Sequence, residues 1–196
     1  FSDILGFTAM SKGTSPASLV TFLNDCFFTP MGEIAYQYHG MVDKHIGDSM
    51  MVVYGAPVPH KNDACLAVQS AVAMQQAAGK INEKLSLKNG FRLKMGIGIS
   101  TGSVYSGILG SLRRKEYTSI GMAVNIAAKL QGAAGEGEIF VTEATLKHLP
   151  EEIETQEMPP LCVKGIDDPI AARREAHALY SALPPYPALI SGPFDP

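Results

Sequence analysis

An α/β (α+β) two-layer sandwich built on a ferredoxin-like βαββαβ core, with extra elements towards the C-terminus, is the fold this sequence predicts. Three observations carry it. An apolar stripe at helical spacing runs from Leu19 to Tyr38, two short extended runs meet at Gly47-Asp48, and a strictly alternating segment follows from Phe91 to Ile99. Helical and extended patterns interleave in the order β-α-β-β-α-β, which lays helices over an antiparallel sheet.

Each element has a local reason. Phe1 to Ile4 reads as the end of a strand, and Gly6-Phe7-Thr8 as a tight connection. Ser15 is placed to cap a helix whose first residue is Pro16. Leu19, Val20, Leu23, Phe27, Met31, Ile34, Ala35 and Tyr38 form its stripe, Pro30 should kink it, and Gly40 ends it. Residues 41–46 and 49–54 form a hairpin about the Gly-Asp turn. A second helix follows Asn62-Asp63, with Val68, Ala71, Met74, Ala78 and Ile81 on one face. Phe91, Leu93, Met95, Ile97 and Ile99 then alternate with polar residues and glycines, the pattern of a half-buried strand. A turn and strand over 102–110, a strand over 117–120, a helix over 122–131 and a strand over 138–141 come next. Thr142 caps a short helix to Leu149, and short strands are expected around 162–164 and 178–181. Residues 1–182 make one domain; 183–196, with five prolines in the last thirteen residues, make a loose tail.

Composition bounds the function. The 196 residues are 46% hydrophobic and 18% charged, which excludes a disordered chain. Sixteen Lys and Arg against nineteen Asp and Glu give a net charge of −3, so no general basic surface points to nucleic acid. Cys26, Cys65 and Cys162 form no CxxC pair and read as reduced thiols in a cytoplasmic compartment. No apolar run approaches the roughly 20 residues that span a bilayer, and no signal peptide opens the chain. The chain opens on what reads as the end of a strand, so a fragment is expected, in which any upstream membrane or sensor segment would be invisible.

Two aspartates stand out by position. Asp3 sits at the end of the first strand and Asp48 at the hairpin tip, strands that a ferredoxin-like sheet places side by side. Two carboxylates with substrate phosphates and water are what Mg²⁺ asks of its ligands. Turn chemistry alone would also account for both residues. The segment from Ile4 to Thr8, including Phe7, offers backbone N–H groups to phosphate oxygens. Asn125 and Lys129, four apart, share one helix face and suit either a ribose and phosphate or simple solvation. The five histidines form no HExxH and flank no nucleophile, which disfavours zinc and Ser/Cys–His hydrolysis.

Taken together, Phe1-Ser2-Asp3-Ile4-Leu5-Gly6-Phe7-Thr8, Asp43-Lys44-His45-Ile46-Gly47-Asp48, Tyr117-Thr118-Ser119-Ile120-Gly121 and Val124-Asn125-Ile126-Ala127-Ala128-Lys129 resemble the class III nucleotidyl cyclase catalytic domain. The match runs in order over about residues 1 to 181. The resemblance implies conversion of a nucleoside triphosphate to a 3′,5′-cyclic monophosphate and pyrophosphate, with two Mg²⁺ or Mn²⁺ ions, at the interface of a head-to-tail dimer. Asp3, Asp48 and the backbone of Ile4 are then the metal ligands, and the partner subunit brings base recognition and charge stabilisation.

The resemblance also assigns roles to single residues. Lys44 and Thr118 fall at the base-recognition positions. Lysine only donates, which suits adenine N1, and a threonine hydroxyl can accept from the 6-amino group, so ATP is the expected substrate. Guanylyl members usually carry an acidic residue where Lys44 stands. Threonine at 118 is similar to the bicarbonate-stimulated soluble adenylyl cyclases, which implies a response to bicarbonate or CO₂. Asn125 matches the ribose-orienting asparagine, Lys129 stands where the family normally has a transition-state arginine, and Lys164 and Arg113 are expected to reach the triphosphate. Two alternatives stand beside this reading: a regulatory cyclase-homology domain with weak or no catalysis, for which Lys129 speaks, and a guanylyl cyclase.

Overall fold

The computed structural model describes residues 1–85, 92–150, 155–160 and 171–175. Its elements run β1 (Ser2–Ile4), α1 (Phe7–Ser11), α2 (Pro16–Phe22), a π-helical turn (Leu23–Phe28), α3 (Thr29–Gln37), β2 (Met41–Ile46), β3 (Ser49–Val53) and α4 (Asp63–Leu85). They continue with β4 (Met95–Ile99), β5 (Tyr105–Gly110), β6 (Lys115–Ile120), α5 (Met122–Ala133), β7 (Ile139–Thr142), α6 (Glu143–Leu146), β8 (Thr155–Glu157) and β9 (Ala172–Glu175).

The sheet order is β2-β3-β1-β4-β7-β9-β8. Its first four strands pair antiparallel throughout and form the ferredoxin-like core that the alternation of elements predicts. β7 joins β4 in parallel after a crossover through α5, and β9 and β8 extend that edge antiparallel. β5 and β6 stand apart as a two-stranded ribbon.

The helix caps follow the sequence. Ser15 accepts from Ser18 N–H at 3.1 Å ahead of Pro16, and the Thr142 hydroxyl accepts from Thr145 N–H at 3.3 Å. The long first helix is not simply kinked at Pro30. It widens into the π-turn, where the Thr29 N–H reaches back five residues to the Asn24 carbonyl. Pro30 has no N–H to give the carbonyl four residues before it, and the wider turn re-spaces the bonds ahead of it. Gly6-Phe7-Thr8 likewise forms more than a connection: Gly6, at φ 76°, starts the short helix α1. α6 stops at Leu146, short of Leu149.

One face of the sheet buries Ile4, Met50, Met95, Ile97, Ile139 and Val141 against Phe22, Phe27, Met31 and Ile34 of the first helical stretch and Val68, Val72 and Ile81 of α4. Burial raises the Cys26 thiol to about 11, with Asp25 adding to the shift, so that thiol stays protonated and inert at neutral pH. The other face carries α5, whose Leu130 packs with Ala134, Phe140 and Ala172. Here the sandwich gains a layer beyond the two expected, and β4 is buried on both sides rather than half-buried. Its glycines make the approach possible: a Cβ on Gly98 would lie 2.2 Å from Gln131 N and 2.3 Å from Ala127 O, and one on Gly96 2.7 Å from Ala134 O.

β4 also starts later than its alternation suggests. The Asn82 side chain of α4 takes both backbone groups of Leu93, donating to its carbonyl at 2.8 Å and accepting from its N–H at 2.7 Å. Those groups are no longer open to a ladder. Strands β8 and β9 have no counterpart in the sequence reading, whereas the strands expected around 162–164 and 178–181 and the proline-rich tail lie outside the described residues.

Because backbone rather than side chain blocks the Gly98 position, Gly98→Ala must push α5 off the sheet. The expected cost is about 3 kcal/mol, the upper part of the range for overpacking, read as a lower denaturation midpoint in urea.

Candidate active site

Strand register brings the two aspartates together. Asp3 on β1 lies opposite Ser49 on β3, and Asp48 is the residue just before Ser49 in the two-residue hairpin turn. Gly47 takes the left-handed conformation there, with φ 64°, which leaves Asp48 at the tip. The Ser49 hydroxyl donates a hydrogen bond to Asp3 Oδ1. Desolvation and, next, the negative charge of Asp3 push the Asp48 carboxyl above its ordinary range, although a backbone hydrogen bond opposes them.

Two like charges held at one edge fit a hard divalent cation. Among the described residues no third His, Cys, Asp or Glu completes a metal cluster with them. That donor set suits Mg²⁺ or Mn²⁺, which accept one or two carboxylates and fill the remaining positions with phosphate oxygens and water. Ile4 is 2% exposed with its side chain in the core, so only its backbone is available as a ligand.

A second cluster forms between β2 and the ribbon. The Lys44 ammonium lies 3.0 Å from Glu116 Oε1 and 3.5 Å from Asp43 Oδ1. The Glu116 hydrogen bond, helped by Asp43, holds the lysine above its usual pKa, and Lys44 in turn lowers Glu116. Thr118 is 4% exposed, and its hydroxyl donates to Asp43 at 2.8 and 2.9 Å to the two carboxylate oxygens. Ser119 N–H donates to Asp43 Oδ2 at 3.0 Å. Lys44 and Thr118, far apart in sequence, therefore meet over one carboxylate.

Asp43 and Glu116 were not candidates from sequence. Asp43 is the extra residue of a β-bulge: Val42 faces Val52 and Lys44 faces Met51, with Asp43 between them unpaired. An aspartate in a polar strand carries no sign of such a bulge.

The remaining candidates are placed singly. Asn125 and Lys129 are both exposed on one face of α5, and among the described residues no hydrogen bond or ion pair joins them to the Asp3–Asp48 edge. Arg113 is exposed in the turn at the far tip of the ribbon, between β5 and β6, and is not brought to α5. Phe7 packs its ring against the core, and Thr8 is exposed; both are in the first turn of α1, where backbone N–H groups lack acceptors within the helix. Leu5 N–H is already taken by the Lys94 carbonyl at 2.8 Å. Lys164 lies outside the described residues.

The raised Asp48 carboxyl has a consequence for stability. A folded-state pKa above the ordinary 3.8 means that ionised Asp48 opposes folding, a penalty that sets in as pH rises through 3.8 and is complete above the raised value. Asp48→Asn should therefore melt higher than the parent in chelator at neutral pH and lose that advantage near about pH 3. Added Mn²⁺ should raise the melting temperature of the parent and much less that of the variant, because ligand-linked stability needs the ligand site.

Comparison with known proteins agrees with this geometry. The family model described as "Adenylate and Guanylate cyclase catalytic domain" matches residues 1–180. An adenylate cyclase of Anabaena cylindrica is 34% identical over 180 residues, covering 87% of this chain and 35% of that protein. An adenylate cyclase of Mycobacterium tuberculosis is 33% identical over 166 residues, covering 84% of this chain and 36% of that protein. The chain thus spans about a third of the length of these relatives. Among solved structures, the guanylyl cyclase Cya2 superimposes with a TM-score of 0.84 at 32% identity, covering 89% of this chain and 88% of that one. The adenylyl cyclase CyaB from P. aeruginosa does so with 0.84 at 31% identity, covering 89% and 90%. A family match over nearly all the chain and the same fold at about a third identity lead to one conclusion: the chain belongs to the adenylate and guanylate cyclase catalytic domain family, the class III nucleotidyl cyclases.

Proposed function

We propose that this domain is an adenylyl cyclase, closing ATP to 3′,5′-cyclic AMP with release of pyrophosphate. The observation that carries the reading is the juxtaposition of Asp3 on β1 with Asp48 in the turn that opens the adjoining β3, in a chain of this family. In the reaction the ribose 3′-oxygen loses its proton and attacks the α-phosphorus, and the bond to the bridging oxygen of pyrophosphate breaks. Two Mg²⁺ or Mn²⁺ ions held by Asp3, Asp48 and the Ile4 backbone would supply activation of the 3′-hydroxyl and neutralisation of the β- and γ-phosphates.

The protein's own groups divide the remaining work. Lys44 has three ammonium donors, and two are directed at carboxylates; the third suits adenine N1. Thr118 gives its proton to Asp43 and keeps lone pairs for the 6-amino group. Asn125 orients the ribose and Lys129 steadies the charge developing at phosphorus, both from the exposed face of α5. Phe7 and Thr8 N–H groups meet phosphate oxygens, and Arg113 and Lys164 complete the triphosphate contacts.

A head-to-tail pair of chains supports this division. Among the described residues no hydrogen bond or ion pair joins the Asp3–Asp48 edge to the Lys44–Thr118 cluster or to α5, so the two halves are complementary sets. The ribbon offers exposed apolar side chains to a second copy: Tyr105 and Ile120 on one face, Ile108 on the other and Leu112 at the tip are all at least half exposed. A symmetric dimer would then hold two equivalent sites. Bicarbonate stimulation, implied by Thr118, is read in the same assay at constant pH.

Purified protein with ATP and Mn²⁺ is expected to make cyclic AMP, faster than it makes cyclic GMP from GTP at equal concentration. Asp48→Ala should lower that rate by at least about 100-fold, the scale of losing a metal-bound charge from the transition state. Faster turnover of GTP would make it a guanylyl cyclase, and no product from a folded dimer would make it a regulatory homology domain.

Lys129 yields a separate expectation. A lysine keeps the charge of the family arginine but lacks its planar fork of donors. Lys129→Arg should raise kcat about 10-fold with KM for ATP little changed, as one added charge-assisted hydrogen bond in the transition state would do. An equal or lower kcat in steady-state kinetics would mean the site is shaped around lysine.

A further inference from the structure

The Asp43 carboxyl group is fully buried, its side chain 0% exposed, although it sits in an edge strand of the sheet. A buried carboxylate persists only where hydrogen bonds compensate it. Here the compensation is specific. The bulge at Asp43 turns the side chain out of the β2–β3 ladder towards β6, where it accepts from the Thr118 hydroxyl and from Ser119 N–H and lies beside the Lys44 ammonium.

These bonds define a direction. Ser119 N–H can only donate, so Oδ2 must be an acceptor. The Thr118 hydroxyl donates to the same group, at 2.8 Å to Oδ1 and 2.9 Å to Oδ2. A hydroxyl whose one proton is spent has only lone pairs left to show a ligand. Without Asp43 the same hydroxyl could rotate and offer its proton instead.

We infer that Asp43 is a positioning residue for base selection: by taking the Thr118 proton it makes Thr118 an obligate acceptor, which favours a purine carrying a 6-amino group over one carrying a 6-oxo group. The inference rests on the proposed adenine contacts of Lys44 and Thr118, and deepens them by naming what fixes the polarity of the threonine. Asp43→Ala removes both acceptors and lets the hydroxyl turn its proton towards the ligand, whereas Asp43→Asn would keep an acceptor at the Oδ2 place, 2.9 Å from that hydroxyl.

The test uses ATP and inosine triphosphate, whose 6-oxo group accepts where the 6-amino group of adenine donates. The ratio of kcat/KM for the two is measured, and the ratio of affinities is read independently by displacement of a fluorescent ATP analogue. The parent should prefer ATP by at least about 10-fold, the worth of one hydrogen bond to the amino group. Asp43→Ala and Thr118→Val should each lower that ratio about 10-fold, and the double variant should lose nothing beyond Thr118→Val, since both act through one hydroxyl. Asp43→Val, which also removes both acceptors, gives the same reading should the alanine variant not fold. A lower rate on both nucleotides with the parent ratio intact would overturn the inference and reduce Asp43 to a structural strut. A parent-like ratio in Thr118→Val would overturn the adenine contact itself, and the inference with it.

Discussion

Three residues in the middle of the sheet set the geometry of everything else. β1 is paired on both sides, Ser2 with Met50 and Ile97, Asp3 with Ser49 and Gly96. Each pairing fixes which way the side chains point, because a slip of one residue would send Asp3 into the core and Ile4 to the metal edge. The apolar demand of Ile4, 2% exposed among Met50, Met95 and Ile97, is what prevents that slip. Placement of a charged ligand is thus secured by the packing of its uncharged neighbour.

The same alternation organises the other face. Gly96 lies opposite Asp3 and beneath Ala134, so α5 reaches the sheet on the aspartate side. The ribbon is anchored to that side too, through Asp43 and Lys44 of β2 and Glu116, Thr118 and Ser119 of β6. One face of the sheet therefore stores the main apolar core, and the opposite face carries the smaller cluster under α5 and, at its rim, the polar chemistry. An antiparallel sheet with period-two side chains makes that separation available at no cost in chain length.

How much of this was legible in the sequence depended on whether the governing contacts were local. The Ser15 and Thr142 caps act within one helical turn, and the residue types at those positions announce them. The Gly47-Asp48 hairpin and the stripe of the first helix are similarly self-contained. Asn82 binding Leu93, which delays β4, depends on a helix and a strand that meet only in the folded protein. The role of Gly96 and Gly98 was hidden for the same reason: a glycine in an alternating strand looks like an empty outer face until a helix is found lying on it. At the site, Asp3 and Asp48 were readable from topology, and their juxtaposition follows from register. Asp43 was not, because a bulge is an outcome of competition between ladder bonds and the partners a side chain finds across the fold.

The π-turn at Leu23–Phe28 can be viewed as a splice in helical phase. Each residue of an α-helix advances about 100° around the axis, so a single added residue would swing everything before it by that angle. Widening one turn absorbs the extra residue locally and lets Phe22 on one side and Met31 and Ile34 on the other face the same core. Removing the extra residue would let the stretch close into regular α-helix with Phe22, Met31 and Ile34 still on the core side. The domain's longest N-terminal element thus tolerates a length mismatch with the sheet it covers, and records it as a defect in winding rather than as a loop.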